Sequence, residues 1–591
     1  MTNHEAISKL LDKKVKLEKV DIPNHKMFES SYFAACRTTK LGDETVNISL
    51  DEMFLLMLPF IDIVDVCDRC IINKDAVIER LLKLVCKIDP YFDFNKTGEL
   101  ADNKIQQVLF KQNIIADGIY DFNVLYNYMH KLFLHKKVEN VKIIKKLLKM
   151  IDPTGNNFLM WCCKKNKSDL FIMYLLDNYG MECKAEQISS ENDTALIYAC
   201  KNAMSKIALK LINTFGAKCN IGQVNDSSTT ALIWACSKYM LEVALKIIDF
   251  SSENGIDCKP EQIDSDKKTA LIYACSNKMS SVIIKLIDTF GVKCNMGQID
   301  KCGDTAFIWV CVNHMSDIAI KMIDMFDADC KPEQIYSRGN TALMYTCRYN
   351  MSDATLKLID TFGAKCKPEQ IDIAETTALR WACKNKMSSV IIKMIDTFGA
   401  KCNIGQIDKY GETAFIWVCV TCMSDIAIKM IDTFGADCKP EQICSGQYTT
   451  LIYACKNYMS DVAIKLIENY TNINIGQVTE WDKMTALIWA CKNHMSDVAI
   501  KIIEFSKKNG VDCKPEQIDS KNKTALIYAC INNMSEVAIK LIDTFGIDYK
   551  PHHNDIFDMI FQKYQYDTAL AYAVKNDMHD VIAKLNFSYS I

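Results

Sequence analysis

The chain has 591 residues, of which 49% are hydrophobic and 24% charged, and its formal net charge is -3. This near-neutral balance gives no electrostatic reason to expect a nucleic-acid ligand. The longest apolar run, 53–61, is far shorter than the roughly 20 residues that span a bilayer, so we expect no membrane segment.

Residues 1–120 form the first predicted region and do not follow the pattern of the rest of the chain. Apolar residues recur at helical spacing over 74–88, which predicts an amphipathic helix. A second helix is predicted over 49–66, where Pro59 interrupts it. We therefore predict a helical N-terminal region whose role the sequence does not indicate.

The clearest example of a repeated unit is 340–363, NTALMYTCRYNMSDATLKLIDTFG. Thr341 is predicted to cap a first helix of about eight residues, because its hydroxyl can accept from the free N–H groups of the first turn. Ser352 is predicted to cap a second helix with one apolar stripe. Gly363 is predicted to end that helix at positive φ. Residues 364–376 are interpreted as an extended finger or turn.

The unit recurs along the chain, mostly at a step of 36 residues. The capping slot is filled by Asn157, Thr194, Thr230, Thr269, Thr305, Thr341, Thr377, Thr413, Thr449, Thr485, Thr524 and Thr568. Such a period indicates a solenoid, because a two-helix unit buries its apolar face only against neighbours. We predict a mainly α-helical solenoid of about twelve helix-turn-helix repeats. Its parts are a degenerate entry repeat at 121–156 with a helix over 138–151, a regular array at 157–545 and a C-terminal capping repeat at 546–591.

A longer period is also present. Residues 315–324 return unchanged at 423–432, and 305–311 return as 413–419, each 108 residues later. We infer that a block of three units was duplicated. This pattern favours a scaffold enlarged by copying over an enzyme built around one unique site.

The repeated residues resemble the ankyrin repeat. Thr-Ala-Leu-Ile-Tyr-Ala at 269–274, followed by a helix that ends in Phe-Gly-Ala or a variant of it, is similar to the family's Thr-Pro-Leu-His-x-Ala and Gly-Ala signatures. Here the family's Pro is Ala, its His is Ile or Met, and the period is longer than about 33 residues. The pattern is most similar to ankyrin-repeat proteins of giant amoeba-infecting DNA viruses, the mimivirus type. A HEAT-like or tetratricopeptide-like solenoid is the alternative architecture, against which the long finger argues.

Few residues suggest chemistry. Two Cys-x-x-Cys pairs occur, at 67–70 and 419–422, but zinc needs four ligands and no second pair lies near either one. We interpret the histidines at 552–553 as part of a polar loop. The chain has no phosphate-binding glycine loop, dinucleotide fingerprint or His-Glu-x-x-His motif. We therefore nominate no catalytic, cofactor-binding or metal-ligating residue.

Several residue types recur at fixed slots. Tyr or Trp recurs at the position of Tyr345, and Cys at those of Cys347 and Cys366. We interpret both as packing between repeats, and the abundant reduced Cys as a sign of a reducing compartment. Lys357 and Asp360 also recur, and three residues apart they share a helix face. Stacked repeats are predicted to turn them into an alternating ladder on the outer surface.

The residues just before each capping Thr differ sharply between units, whereas the helices hardly vary. Examples are Lys-Cys-Gly-Asp at 301–304 and Glu-Trp-Asp-Lys at 480–483. A constant frame with changing tips is typical of a binding surface, and drift at solvated tips would give the same pattern. Trp is enriched at interface hot spots. The predicted partner contacts are Trp481, Tyr448, Arg338, Lys267, Lys268 and Glu375.

Three functional hypotheses follow. The first is a non-enzymatic scaffold that binds partner proteins through the repeat surface, which the ankyrin resemblance implies. The second is a substrate adaptor for a ubiquitin ligase, because 50–66 resembles an F-box, although the family's Leu-Pro opens the motif and here lies inside it. The third is an enzyme within 1–120. The start of the sequence lacks the apolar segment of a signal peptide, so we expect an intracellular protein, in a host cytoplasm.

Overall fold

The structure is a computed structural model that describes three long stretches, 148–336, 338–546 and 568–589. It also describes the backbone of 38–41 and 44–47 and the single positions 122, 126, 130, 133 and 145. The helices predicted over 49–66 and 74–88, the F-box-like segment and the histidines at 552–553 lie outside the described residues. The described chain divides into two units, residues 1–265 with 269–290, and residues 266–268 with 291–591.

Within residues 1–120 the structure describes one pair of antiparallel strands, β1 (Thr38–Leu41) and β2 (Glu44–Asn47). Thr38 pairs with Asn47, and Leu41 with Glu44. The β-branched threonines and the valine in these strands favour extended backbone. The prediction of a helical N-terminal region therefore needs correction at this hairpin.

The first unit contains four described helix pairs, each with a short first helix and a longer second helix. They are α1 (Phe158–Lys164) with α2 (Asp169–Tyr179), α3 (Ala195–Lys201) with α4 (Ser205–Phe215), α5 (Ala231–Ser237) with α6 (Leu241–Asn254), and α7 (Ala270–Ser276) with α8 (Ser280–Phe290). First helices pack side by side from α1 to α7, and second helices do so from α2 to α8.

The second unit contains eight described helix pairs. They are α9 (Ala306–Val312) with α10 (Ser316–Phe326), α11 (Ala342–Arg348) with α12 (Ser352–Phe362), α13 (Ala378–Lys384) with α14 (Ser388–Phe398), α15 (Ala414–Val420) with α16 (Ser424–Phe434), α17 (Thr450–Lys456) with α18 (Ser460–Asn469), α19 (Ala486–Lys492) with α20 (Ser496–Asn509), α21 (Ala525–Ile531) with α22 (Ser535–Phe545), and α23 (Ala569–Lys575) with α24 (His579–Tyr589). Neighbouring first helices pack together from α9 to α23, as do second helices from α10 to α24. The prediction of about twelve stacked helix-turn-helix repeats is confirmed.

The predicted caps are partly right. Thr341 Oγ1 accepts a hydrogen bond from the N–H of Met344 (3.3 Å), and Gly363 ends α12 at φ +51°. The assignment of Ser352 as a cap is wrong. Met351 precedes the helix with non-helical backbone angles (φ -90°, ψ 66°), and Ser352 is the first helical residue, with no side-chain capping bond. A serine inside the first turn faces away from the free N–H groups, so its hydroxyl does not satisfy them.

Helix length explains the irregular steps. Most second helices have 11 residues, whereas α6 and α20 have 14. Those three extra residues lengthen two steps between capping residues, from Thr230 to Thr269 and from Thr485 to Thr524, to 39 residues.

The predicted helix over 138–151 extends too far, because residues 148–149 already form a turn and Ile151 pairs with Asn157 in an isolated bridge.

The recurring cysteines pack inside the repeats as predicted. Of the 24 cysteines among the described residues, all are free thiols and all but Cys302 and Cys422 are buried. Cys366 donates a weak hydrogen bond from Sγ to the carbonyl oxygen of Leu358 (3.4 Å), and burial raises its pKa to about 12. These thiols therefore behave as small apolar side chains that close the second helix against the chain that follows it.

A recurring asparagine joins neighbouring first helices, which the sequence analysis missed. Asn385 Nδ2 donates to the carbonyl oxygens of Cys347 (2.8 Å) and Arg348 (2.9 Å), at the end of the preceding first helix. Asn457 and Asn493 repeat this arrangement. The last carbonyls of a helix have no partner within it. Repeats with this asparagine thus satisfy the free carbonyls of the repeat before them.

Thr341, which caps its helix, and Ser352, which does not, allow a matched stability test. We expect Thr341→Ala to lower the free energy of unfolding by about 1 kcal/mol, because the substitution leaves a buried helix N-terminus without its cap. Ser352→Ala should change it by less than about 0.5 kcal/mol, since no capping bond is lost. Urea denaturation of the full chain, followed by circular dichroism, measures both. Equal losses for the two variants would contradict the assignment of Thr341 as the cap.

Candidate functional site

We use the word finger for the segment between a second helix and the next capping residue that begins at a recurring Gln. In the second unit the described fingers are 298–304, 334–340 (without 337), 370–376, 406–412, 442–448, 477–484 and 517–523. Asp408 shows how a finger turns. Its Oδ1 accepts from the N–H groups of Tyr410 and Glu412, both at 2.9 Å. Asp300, Asp372 and Asp519 make the same pair of bonds.

The tips of successive fingers are linked by single backbone hydrogen bonds. The N–H of Ile373 donates to the carbonyl oxygen of Arg338 (3.1 Å), and that of Glu480 donates to the carbonyl oxygen of Gly446 (2.9 Å). Equivalent bonds join 301 to 266, 409 to 374, 445 to 410 and 520 to 482. Apart from the step between the fingers 298–304 and 334–340, where residue 337 is not described, the finger tips therefore form a hydrogen-bonded row with varying side chains and a constant backbone.

Four of the six predicted contact residues lie exposed at this row. Trp481 is 77% exposed, and Arg338, Lys267 and Glu375 are also exposed. Lys267 and Glu375 each lie two residues before a capping Thr, where the backbone is left-handed (φ +60° and +61°). A non-glycine residue rarely adopts this conformation, and at Glu375 it is held by hydrogen bonds from the N–H groups of Glu375 and Thr376 to Asp372.

The other two predicted contacts are less exposed than these four, and their role stays a prediction. Tyr448 is buried, its ring is stacked on Tyr453 with the ring centres 4.9 Å apart, and its hydroxyl donates to Asp482 Oδ1 (2.8 Å). Lys268 is half-buried, with Nζ 3.5 Å from Asp300 Oδ2. Both directly precede a capping Thr, and the chain turns inward there to start the first helix. Sequence reasoning placed them at the tip because it could not see this inward turn.

The sequence analysis did not nominate two further exposed apolar residues on the same row. Ile373 is 62% exposed and Tyr410 is 65% exposed. Both lie in the variable tip segments, so an apolar residue within a polar tip was the available signal. Gly446 lies between Tyr410 and Trp481 along the row. A Cβ added there would lie 3.5 Å from Trp481 Nε1, so the indole packs against this glycine.

The recurring aromatic residues lie within the first helices, as predicted, and cations cover several of their rings. Trp381 is half-buried, and the guanidinium of Arg348 lies 4.9 Å from its ring centre. Lys384 Nζ lies 4.9 Å from the ring of Trp417. These distances suit cation–π interaction. The cation belongs to one repeat and the ring to the next.

One buried ion cluster interrupts the apolar frame. Arg380 is 5% exposed and stands where most other repeats carry Ile or Met. Its Nη2 lies 2.5 Å from Asp408 Oδ2 and 2.5 Å from Glu412 Oε2. Glu412 also accepts from Trp417 Nε1 (3.0 Å). An arginine in an otherwise apolar slot was a visible signal that the sequence analysis did not use.

Two buried carboxylates lie together at the finger 298–304. Asp300 is 4% and Asp304 2% exposed, and among the described residues neither Asp300 Oδ2 nor Asp304 Oδ1 accepts a hydrogen bond. Burial, with a smaller effect from the charge of Asp300, raises the pKa of Asp304 from 3.8 to about 6. Lys268 opposes this shift. Asp304 is therefore a site of pH-dependent stability.

We expect Asp304→Asn to stabilise the chain at pH 7 by about 1–2 kcal/mol, because a pKa shift of one unit corresponds to about 1.4 kcal/mol. The folded-state pKa lies above the unfolded one, so the stabilisation from protonated Asp304 is complete below pH 4 and is lost as the pH rises through 6. The variant and the wild type should thus converge near pH 4. Urea midpoints at pH 4, 5, 6 and 7 measure this. Asp372→Asn removes a finger carboxylate at the position equivalent to Asp300 and serves as the comparison. The same pH-dependent gain in stability with this variant would show that the effect is not specific to Asp304.

The predicted ladder of lysines and acids is confirmed on the second helices. Lys357 Nζ lies 2.5 Å from Asp324 of the preceding repeat, and Lys393 Nζ lies 2.5 Å from Asp360. Lys429, Lys465, Lys501 and Lys540 pair in the same way with Asp396, Asp432, Glu468 and Glu504. Because these side chains are largely solvated, each pair contributes little to stability.

The described residues include no group of three or more His, Cys, Asp or Glu that could hold a metal ion. Cys419 is buried and Cys422 exposed, while the pair at 67–70 lies outside the described residues. Among the described helices, none is both long enough and apolar enough to cross a membrane.

Comparison with known proteins agrees with this geometry. A family model described as "Ankyrin repeats (3 copies)" matches residues 133–223 and 451–555. These two segments match ankyrin repeats. Residues 224–450, between the two matches, are also built from short and long helices in alternation. Within each unit the described helices therefore form a mainly α-helical stack of the ankyrin-solenoid type. No curated protein matches the chain.

Proposed function

We propose that this protein is a non-enzymatic scaffold that binds partner proteins through the finger row of its ankyrin repeats. Ankyrin repeats themselves suggest a role in protein–protein interaction. The observation that carries the finer proposal is the exposed apolar group on the linked tips. Trp481, Tyr410 and Ile373 are each more than 60% exposed on a backbone held by hydrogen bonds.

Such an arrangement suits binding for two physical reasons. An exposed group of large apolar side chains marks an interaction surface more clearly than a single exposed residue does. A tip whose backbone is already held loses little conformational entropy when a partner binds. The finger with Trp481 is also one residue longer than its neighbours, since Thr479 and Thr485 are six positions apart where Asp408 and Thr413 are five.

Charged tip residues would add selectivity. Arg338, Lys267 and Glu375 extend from the same row and differ in charge from finger to finger. Charges at an interface rim mainly guide association and exclude wrong partners. We propose that Trp481 supplies affinity and that these residues supply discrimination.

The adaptor hypothesis stays a prediction, because its F-box-like segment, 50–66, lies outside the described residues. The similarity to repeats of giant-virus proteins and the host-cytoplasmic location also stay predictions. The rival hypothesis of an enzyme within 1–120 is likewise untested.

We expect Trp481→Ala to weaken capture of the partner protein about tenfold or more, because Trp truncation at a hot spot costs about 2 kcal/mol. The measurement is quantitative affinity purification of the tagged full chain from the producing cell, followed by mass spectrometry. Tyr239→Ala is the matched control, since Tyr239 is 63% exposed in a turn between helices of the first unit and lies in no finger. Unchanged capture by Trp481→Ala and by a triple variant with Ile373→Ala and Tyr410→Ala would refute the proposed function.

A further inference from the structure

Four cations occupy the same position in four repeats of the second unit. Arg348, Lys384, Lys456 and Lys492 are the last residues of α11, α13, α17 and α19. Within the described part of the chain, no carboxylate oxygen lies within 4.0 Å of any of the four charged groups. The lysines of the second helices in the same unit are paired with acids, so the first-helix cations differ from them.

Aromatic rings hold these four cations in place. Lys456 Nζ lies 4.7 Å from the ring centre of Tyr448 and 5.2 Å from that of Trp489. Lys492 Nζ lies 4.6 Å from Trp489. Arg348 and Lys384 lie over Trp381 and Trp417, as described above. A cation over an aromatic face keeps its charge and loses some freedom of movement, so its position is partly set before a ligand binds.

No opposite charge lies in the segments of chain that carry the four cations, although Lys456 donates to the hydroxyl of Tyr448 (3.3 Å), which in turn donates to Asp482 (2.8 Å). The first helices and following turns of seven repeats, from 306–315 to 525–534, contain no Asp or Glu. Lys386 adds a further cation in one of these turns. We call the four positions, with Val420 at the equivalent place in α15, the cation strip. It suits an anionic ligand by charge complementarity.

Repeat spacing sets the pattern that such a ligand should have. Packed helices lie about 8–10 Å apart, and an extended peptide rises about 3.3 Å per residue. One repeat thus corresponds to about three peptide residues. Cations at repeats one, two, four and five of the strip would meet acids at positions 1, 4, 10 and 13. Val420, at repeat three, would meet an apolar residue at position 7.

We propose that the cation strip binds an extended acidic segment of the partner protein, with acids near positions 1, 4, 10 and 13 and an apolar residue near 7. This inference rests on the proposed function and names the chemistry of the partner. Separate carboxylates suit the strip better than a continuous polyphosphate, because acids lie at the neighbouring fingers. Glu375, Glu412 and Glu480 are examples, and they would repel a chain with a charge on every residue.

The test measures binding of fluorescent 13-residue peptides to the full chain by anisotropy. One peptide has Glu at 1, 4, 10 and 13 and Leu at 7, and its matched control has the same composition with the glutamates at 2, 3, 11 and 12. We expect the first peptide to bind at least fivefold more tightly. Lys384→Gln and Lys456→Gln should each weaken it about two- to fivefold, the range of a solvated ion pair. Lys393→Gln and Lys465→Gln, on the paired outer ladder, should change it less than twofold.

A register test adds a gain of binding, which a misfolded variant could not give. With Val420→Lys, a peptide carrying Glu in place of Leu at position 7 should bind more tightly than it binds the wild type. Equal binding of the matched peptides, or equal losses from strip and ladder variants, would overturn the proposal. Tighter binding of a 13-nucleotide oligothymidine with the same dependence on Lys384 and Lys456 would also overturn it, in favour of a nucleic-acid ligand.

Affinity purification with the same variants separates this inference from the proposed function. Loss of the captured partner with Trp481→Ala, but full capture by a variant with all four strip cations changed to Gln, would leave the scaffold function standing and refute the strip. Full capture by both variants would refute both. The expected result is that Trp481→Ala and the four-cation variant both lose the partner, whereas the ladder variants Lys393→Gln and Lys465→Gln still capture it.

Discussion

Side-by-side packing of the first helices is the interaction on which the rest of each unit depends. A helix pair of this length cannot cover its own apolar face. Leu343 and Cys347 of α11, for example, are fully buried, and α11 packs against a first helix on each side and against its own second helix. Stability in such a protein is therefore a property of neighbours, and a repeat cannot be understood alone. The close likeness of the helices between repeats follows, because each one must fit a nearly identical surface on both sides.

Hydrogen bonds from side chains satisfy both ends of the packed first helices. The capping Thr satisfies the start of each first helix from within its own repeat. The end is satisfied from the next repeat, by an asparagine side chain such as Asn385. Buried backbone groups without partners would be costly. These bonds link the repeats in one direction along each unit and restrict how the helices can slide against one another.

The fingers vary because the groups that hold their backbone are separate from the side chains at their tips. Asp408 and its equivalents hold the turn, and one backbone bond per finger fixes it to the next. The tip side chains take part in neither interaction, so Ile373, Tyr410 and Trp481 could change without loss of the frame. The first-helix cations differ, because their rings and positions come from the frame itself. A surface with variable tips beside fixed cations can combine selectivity with a constant mode of attachment.

Much of this architecture was determined by the sequence alone. The period, the capping Thr, the positive φ of Gly363 and the lysine ladder could all be predicted, because each depends on residues close in the chain or on exact repetition. The role of Ser352, the burial of Tyr448 and the ion pairs of Arg380 could not. Each depends on where the chain turns and on which side chain of the next repeat, about 30 residues away, comes into contact. Only the tertiary structure decided that four first-helix cations lack acidic partners while the outer lysines have them, since both sets look alike in the sequence and differ only in what stacking places beside them.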